Sequence, residues 1–296
     1  MSIKKGMVAM QIQKSYQNDS AGVLYIVPTP IGNLEDITFR ALRVLEEADI
    51  VLAEDTRNTG KLLHHFDLKK RMISYHEHNK ATRQDQILAM LAEGQTLVLV
   101  SDAGMPGISD PGYEVIQAAI DQDVAVIVLP GANAALPALV GSGLSTSSFY
   151  FYGFLPRKNK EREQAFELLA SLDTTFILYE SPHRITQTME QLAERFGNRQ
   201  ASIARELSKK YEEYLRGNLP ELAAWISDHP LKGECCIVIE GKQEQQEVEW
   251  WESLSVKEHV EQMMKERECT SKEAIKQVAK TRQLPKRDVY TAYHIQ

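Results

Sequence analysis

From Ala21 onward the chain alternates short apolar runs with segments of helical spacing. Gly22–Val27, Asp49–Asp55, Arg71–Tyr75, Thr96–Val100 and Val124–Leu129 read as strands. Between them, Glu35–Ala48 spaces Ile37, Leu42 and Leu45 as a helix does, and Thr56–His65, Ala81–Glu93 and Tyr113–Asp121 follow as further helices. Several strands are continuously apolar instead of alternating, as strands are when helices cover both faces of a sheet. Alternating βα units predict a mainly parallel sheet.

A second half begins near Pro137–Gly143. Its predicted strands are Ser147–Phe154, Thr174–Glu180, Ala201–Ser208, Lys209–Gly217 and Gly233–Glu240, with helices at Lys160–Leu172, His183–Phe196 and Pro220–Asp228. Two of these strands follow each other almost directly, which is hairpin-like, so this sheet is expected to be mixed. Strand alternation in Phe149–Phe154 (FYFYGF) points to core aromatics. Gly241–Glu252 is acidic and Gln-rich, a linker composition. Ser253–Gln296 reads as short helices broken near Thr270 and Leu284–Pro285. The expected organisation is a flexible tail over 1–20, α/β domains over 21–135 and 136–242, and a basic helical segment over 253–296.

The chain has 296 residues, 43% hydrophobic and 25% charged, so it can bury sizeable cores without disulfides or structural metals. Its apolar runs are too short to span a bilayer. A net charge of −7 excludes an overall nucleic-acid coat but leaves room for a local basic patch. Cys235, Cys236 and Cys269 form no CxxC pair; reduced, buried thiols suit a cytoplasmic protein. Met1–Ser20 reads as a polar tail, not a signal peptide.

The densest local signal is VSDAGMPGISDPG, Val100–Gly112. Gly104, Gly107 and Gly112 allow close backbone approach, Asp102 and Asp110 add charge, and the loop follows a strand, where open α/β sheets bind ligands. A turn rich in Gly, Pro and Asp is the bland alternative. The strings GxxxxGK[ST] and GxGxxG are absent. An acidic loop suits a cationic or neutral ligand better than a pyrophosphate, and S-adenosylmethionine fits.

These segments extend to a longer series: Ile26–Leu63 (with VPTPIGN and AEDTRNT), SYHEHN at Ser74–Asn79, PGANAALPALVGSGL at Pro130–Leu144, FYGFLPRK at Phe151–Lys158, FILYESPHR at Phe176–Arg184 and ARELSKKYEEYLRGNL at Ala204–Leu219. The series resembles the rRNA-modifying branch of the tetrapyrrole (corrin/porphyrin) methylase family over nearly all of Gly22–Gly241. The resemblance implies two α/β domains with S-adenosylmethionine in the cleft between them. It implies methylation of a ribose 2′-hydroxyl on a cytidine of 16S rRNA within the small ribosomal subunit, and a homodimer. It assigns cofactor contacts to Pro30, to Asp102, Gly104, Met105 and Ile108, to Asn133 and Ala134, and to Tyr179 and Glu180. Asn133 stands where the family more often has a small hydroxyl residue or cysteine.

A ribose hydroxyl is a poor nucleophile and needs a base or a stabilising cation. Glu54, Arg57 and His76 are the catalytic candidates, Asp55 or Thr56 being a helix cap instead. His76 and His78 would share a face of a strand, but no metal is expected. Asn79 is a further candidate for substrate contact, whereas His64–His65 reads as a helix C-terminus. Arg184, Lys276, Lys280 and Arg282 are the candidate RNA contacts. Lys272–Arg287 carries six cations against one anion, with Lys272, Lys276 and Lys280 on one helical face. The competing readings are a methyltransferase acting on a tetrapyrrole, which shares the fold, and a non-enzymatic cofactor-binding module.

Overall fold

Five of the apolar runs form one parallel sheet. Its strands are β1 (Val23–Ile26), β2 (Ile50–Ala53), β3 (Arg71–Ser74), β4 (Thr96–Val100) and β5 (Ala125–Val128), in the order β3-β2-β4-β1-β5. The computed structural model describes residues 10–15, 22–243, 250–251 and 253–295. Period-2 geometry explains the unbroken hydrophobicity. Leu97 and Leu99 of β4 enter one core with Leu24 and Leu52, while Val98 and Val100 enter a second core with Val27 and Val51 on the opposite face. The connecting helices are α1 (Phe39–Glu47), α2 (Thr56–His65), α3 (Lys80–Ala92) and α4 (Tyr113–Asp121). Thr38 caps α1 through Ala41 N–H, and Asp55 caps α2 through Arg57 N–H.

The second sheet is mixed, as the hairpin-like spacing predicts. It contains β6 (Phe149–Phe154), β7 (Thr175–Glu180), β8 (Gln200–Arg205), β9 (Glu213–Asn218) and β10 (Cys235–Ile239), ordered β6-β7-β10-β8-β9. Only the β6–β7 pair is parallel. One face packs on α6 (Asn159–Ser171), α7 (Ile185–Phe196) and α8 (Leu219–Asp228) through Phe166, Met189, Leu192 and Ile226. Its other face is covered by α5 (Ala135–Ser142), where Ala138 and Leu139 meet Ile177, Cys236 and Val238. This helix is absent from the hydrophobic-pattern reading. It starts with Pro137 in its first turn and ends at Gly143 in the left-handed conformation, φ +79°.

The FYFYGF aromatics are core only in part: Tyr152 and Phe151 are half-buried, each packed against one of the sheet's two cores. β6 is an edge strand with a register shift between Phe151 and Gly153, and Phe149, Tyr150 and Phe154 are exposed. Near the start of the chain, Gln13 lies along the free edge of β5. Its side-chain amide donates to Val126 O and accepts from Val126 N–H, both at 2.9 Å. Residues 1–9 and 16–20 of the segment read as a tail, and most of the Gly241–Glu252 linker, lie outside the described residues.

The described residues divide into two compact units, the first ending at Lys242 and the second starting at Gln243. The second contains α9 (Val256–Arg267), α10 (Ser271–Thr281) and α11 (Lys286–His294), broken near Thr270 and Leu284–Pro285 as expected. Val260, Met263, Ile275, Val278 and Val289 form its own core. Capping boxes start α9 (Ser255/Glu258) and α10 (Thr270/Glu273). No helix among the described residues is long and apolar enough to cross a membrane.

Candidate active site

The C-terminal ends of β1, β2 and β4 converge on the loop that follows β4. Thr29, just past β1, pairs with Gly104 in an isolated antiparallel bridge, N–H to O at 2.9 Å in each direction. Thr29 Oγ1 also donates to Ser101 O at 3.1 Å. Gly104 has φ +82°, a conformation that favours glycine. The bridge holds the loop open around a cavity of about 440 Å³, a size suited to a cofactor.

This cavity gathers most of the residues expected from the sequence. Asp102, Gly104, Met105 and Ile108 line it from the loop, Asn133 and Ala134 from the segment before α5, and Glu54 from the end of β2. Tyr179 and Glu180 close it from the end of β7. Pro30 lines a neighbouring cavity instead, and Arg57 and His76 line neither. Asp102 is held rigidly: its Oδ1 accepts from Asp55 N–H at 3.2 Å, and its Oδ2 from Asn58 Nδ2 at 3.1 Å. Asn133 uses Oδ1 to accept from Leu136 N–H at 3.0 Å, so it caps the start of α5.

The family model of the tetrapyrrole (corrin/porphyrin) methylases matches residues 23–223. The chain belongs to this family. Of its relatives, ribosomal RNA small subunit methyltransferase I of Halalkalibacterium halodurans is 55% identical over 288 residues, covering 96% of this chain and 99% of that one. The protein of the same name from Bacillus subtilis is 48% identical over 287 residues, covering 96% and 98%. Among solved structures, uroporphyrin-III C-methyltransferase from Thermus thermophilus complexed with S-adenosyl homocysteine has the same fold. Its TM-score is 0.52 at 19% identity, covering 74% of this chain and 97% of that one.

The electrostatics of this methylase cavity are acidic. Burial pushes the Asp110 carboxyl up to about 6, helped by the charges of Glu54 and Asp102 and opposed by the Ser101 hydroxyl. Burial, then the neighbouring Asp102 charge, raises Glu54, while His76 acts in the opposite direction. Lys209 also lines the cavity, but its Nζ is bound to Glu206 Oε1 at 2.8 Å and Glu234 Oε2 at 2.9 Å. Burial pushes the Tyr179 hydroxyl up to about 12, and the ring makes edge contacts with Phe151 and Phe154 at 5.0 and 5.6 Å. Cys235 is likewise pushed up to about 12 by burial, so this thiol is not poised as a nucleophile.

Other sequence candidates do different work. Glu180 is buried. Its Oε1 accepts from Ser181 N–H at 2.9 Å and its Oε2 from Thr188 Oγ1 at 2.8 Å, with Arg184 at 3.5 Å. Arg184 also donates to Leu155 O at 3.0 Å, so the two side chains brace the start of α7. His76 and His78 lie in a turn after β3, not on a strand, with ring centroids 6.0 Å apart. Asn79 holds that turn by accepting from His76 N–H and donating to Ser74 O. No group of three or more His, Cys, Asp or Glu among the described residues is placed to hold a metal ion.

The pattern reading passed over Lys209, Ser109 and Leu207, which also line the cavity. Lys209 was read as part of a strand. The chain turns there instead, with Glu206 and Ser208 at positive φ, and Ser208 Oγ bonds the Asp36 carboxylate near α1. Local composition carries no signal for that long-range contact.

Proposed function

We propose that the chain is an S-adenosylmethionine-dependent methyltransferase that methylates the ribose 2′-hydroxyl of a cytidine in 16S rRNA. The observation that carries this reading is 55% identity, over 96% of the chain, to a protein named for methylating small-subunit ribosomal RNA. The cavity fits the donor. Its carboxylates Asp102, Asp110 and Glu54 suit a sulfonium and an ammonium, and its one lysine is already neutralised by two glutamates. The solved relative in fold that is complexed with S-adenosyl homocysteine agrees with this choice of ligand.

The donor supplies a methyl group on a positively charged sulfur with its own leaving group. The protein therefore contributes position and charge. The Thr29–Gly104 bridge and the loop around Met105 and Ile108 orient the ligand, Asn133 and Ala134 form the adjoining wall, and Tyr179 covers it. Glu54, raised by burial, takes the ribose proton on its carboxylate as the hydroxyl oxygen is methylated. His76 lies close enough to influence Glu54 electrostatically, and Arg57, bound to the Asp55 carboxylate yet 86% exposed in its side chain, presents its outer face to a backbone phosphate.

The substrate is 16S rRNA within the small ribosomal subunit, which places the protein in the cytoplasm. Lys276 and Lys280, exposed on α10, serve as RNA contacts. A homodimer is supported by exposed apolar side chains at Leu136 and Val140 of α5 and at Phe149 and Tyr150 of β6. The test is mass mapping of 16S rRNA after incubating small subunits from a strain lacking the enzyme with this protein and labelled donor. One added methyl on a cytidine ribose is the expected result. Unchanged rRNA mass, with donor binding intact, overturns the reading in favour of a binding module.

A further inference from the structure

A second cavity, of about 340 Å³, meets the first at Asp102, which lines both. Its apolar walls are Pro30, Leu34 and Leu62, and its polar wall is the face of α2 that carries Asn58, Lys61 and His65. Three features of this cavity are unexplained by donor binding.

The first is position. Methyl transfer needs the reacting oxygen within roughly 3–3.5 Å of the methyl carbon, so the nucleotide must occupy space adjoining the donor cavity. A cavity sharing a wall residue with it meets that condition. Asp102, fixed by Asp55 N–H and Asn58 Nδ2, makes the shared wall rigid.

The second is the charge of α2. Arg57, Lys61 and His65 are spaced i, i+4, i+8 and form one stripe; Arg57 pairs with the N-cap Asp55, and no residue within α2 itself is acidic, in a protein whose net charge is −7. All three are exposed. Such a stripe at the mouth of a cavity matches the phosphates that flank a nucleotide.

The third is the Asn58 amide. Its Nδ2 is committed to Asp102, which leaves Oδ1 as an acceptor on the cavity wall. An amide oxygen pairs with the exocyclic amine of cytosine and would face the carbonyl O4 of uracil unfavourably. Apolar walls on either side suit the faces of an unstacked base.

We propose that this second cavity is the subsite for the target nucleotide. The pyrimidine packs among Pro30, Leu34 and Leu62, its amine faces Asn58 Oδ1, and the flanking phosphates lie on the Arg57–Lys61–His65 stripe. The inference rests on the RNA-methyltransferase reading and extends it to a named site and a base preference.

The test uses the full chain saturated with S-adenosyl homocysteine and probes it with cytidine 5′-monophosphate by saturation-transfer NMR. Two variants are compared with the wild type: Leu62→Trp, which fills the cavity, and the double variant Lys61→Glu/His65→Glu, which reverses the stripe at exposed positions. Calorimetry with S-adenosyl homocysteine should show wild-type affinity in both. Transfer to the cytosine ring protons is expected in the wild type, stronger than to uridine 5′-monophosphate. It should be lost in Leu62→Trp and weakened about tenfold or more in the double variant. No transfer in the wild type, or equal transfer in wild type and double variant, overturns the subsite. Methylation of small subunits by the wild type is measured alongside. Its absence, with nucleotide binding as expected, overturns the RNA-methyltransferase reading and leaves the nucleotide site standing.

Discussion

The Arg282 guanidinium donates through Nε to Nδ1 of His259 at 3.1 Å. Its Nη2 reaches the carbonyls of Trp251 and Leu254 at 2.6 and 2.5 Å. The Trp251 ring stacks on His259 at 5.5 Å with the planes 9° apart, and the guanidinium lies 5.2 Å from the same indole. An arginine that the sequence pattern offers to RNA thus ties the end of α10 to the start of α9.

Arg282→Ala should therefore act on folding. It removes charged hydrogen bonds that satisfy carbonyls at the entry to α9, at a cost of about 2–4 kcal/mol to the C-terminal unit. Hydrogen exchange should accelerate across α9–α11 while S-adenosyl homocysteine affinity holds. Lys276→Glu/Lys280→Glu should leave exchange unchanged. Equal exchange in Arg282→Ala and wild type would return Arg282 to the surface.

Gly104 separates two explanations of a glycine requirement. A Cβ there would lie 3.4 Å from Ile31 Cγ2 and 3.8 Å from Ala132 O, which is ordinary contact. The constraint is the +82° φ, which costs an L-residue roughly 1–2 kcal/mol. Gly104→Ala should weaken S-adenosyl homocysteine by about tenfold, because relieving the strain breaks the bridge to Thr29. Gly104→Val should do more, its branches extending beyond the space a methyl fills. Calorimetry on both variants, with melting curves to show that they fold, checks the order.

The same contrast between local and distant causes explains what could be read in advance. The buried strands β2 and β4 and the helix α2 are legible because continuous apolar runs, 3.6-residue spacing and an Asp cap are local signals. The loop at Val100–Gly112 is legible because its dihedral needs are written as glycines. Helix α5 is not, since Pro137, Gly141 and Gly143 resemble a loop until a second sheet is present for Ala138 and Leu139 to cover. The β6 aromatics alternate like core residues, yet an edge position exposes Phe149, Tyr150 and Phe154. Glu180, Arg184 and Arg282 look like surface charges because their partners, Thr188, Leu155 O and Trp251 O, are reached through tertiary packing.

Asp110 sets a pH dependence whose sign is fixed. Its carboxyl is raised from 3.8 to about 6 in the folded protein. Between those values the folded state holds a proton that the unfolded state has released. Stability of the donor-free protein should therefore fall as pH rises from about 4 to 6 and then level off. Partial exposure to water limits the effect to about 1 kcal/mol. Asp110→Asn should remove that decline in urea-melt series. A cationic ligand reverses the preference, because it favours the ionised carboxyl. S-adenosylmethionine should gain affinity relative to uncharged-sulfur S-adenosyl homocysteine as pH rises through 6, and Asp110→Asn should flatten the ratio.

Glu54, Arg57 and His76 should separate by experiment as they do in space. Arg57→Ala and His76→Ala lie off the donor cavity and should keep S-adenosyl homocysteine affinity while methylation falls about tenfold to a hundredfold. Glu54→Gln lines the cavity and should both abolish most methylation and weaken the cationic donor by several-fold. Loss of donor binding in Arg57→Ala would place that side chain in the donor pocket instead.

The C-terminal unit supplies the last test. Lys272, Lys276 and Lys280 are exposed along α10, while Ala274, Ile275, Val278 and Ala279 on its other side are buried in the unit's own core. A helix that buries its apolar side within a separate small bundle leaves its cationic side available to a polyanion. Two roles are possible for such a face: a solvated surface, or an electrostatic contact with RNA backbone. They differ in salt dependence. If the lysines meet phosphates, Lys276→Glu/Lys280→Glu should weaken binding to small subunits by about tenfold to a hundredfold near 0.1 M salt, and the slope of log affinity against log salt should become shallower by about two. Removing residues 253–296 should give a larger loss, with S-adenosyl homocysteine binding by the remaining unit retained, since the donor cavity is built wholly from residues before Lys242. A truncated protein that binds the donor and methylates small subunits at the wild-type kcat/KM would assign RNA recognition to the first unit alone, and would move attention to the stripe on α2.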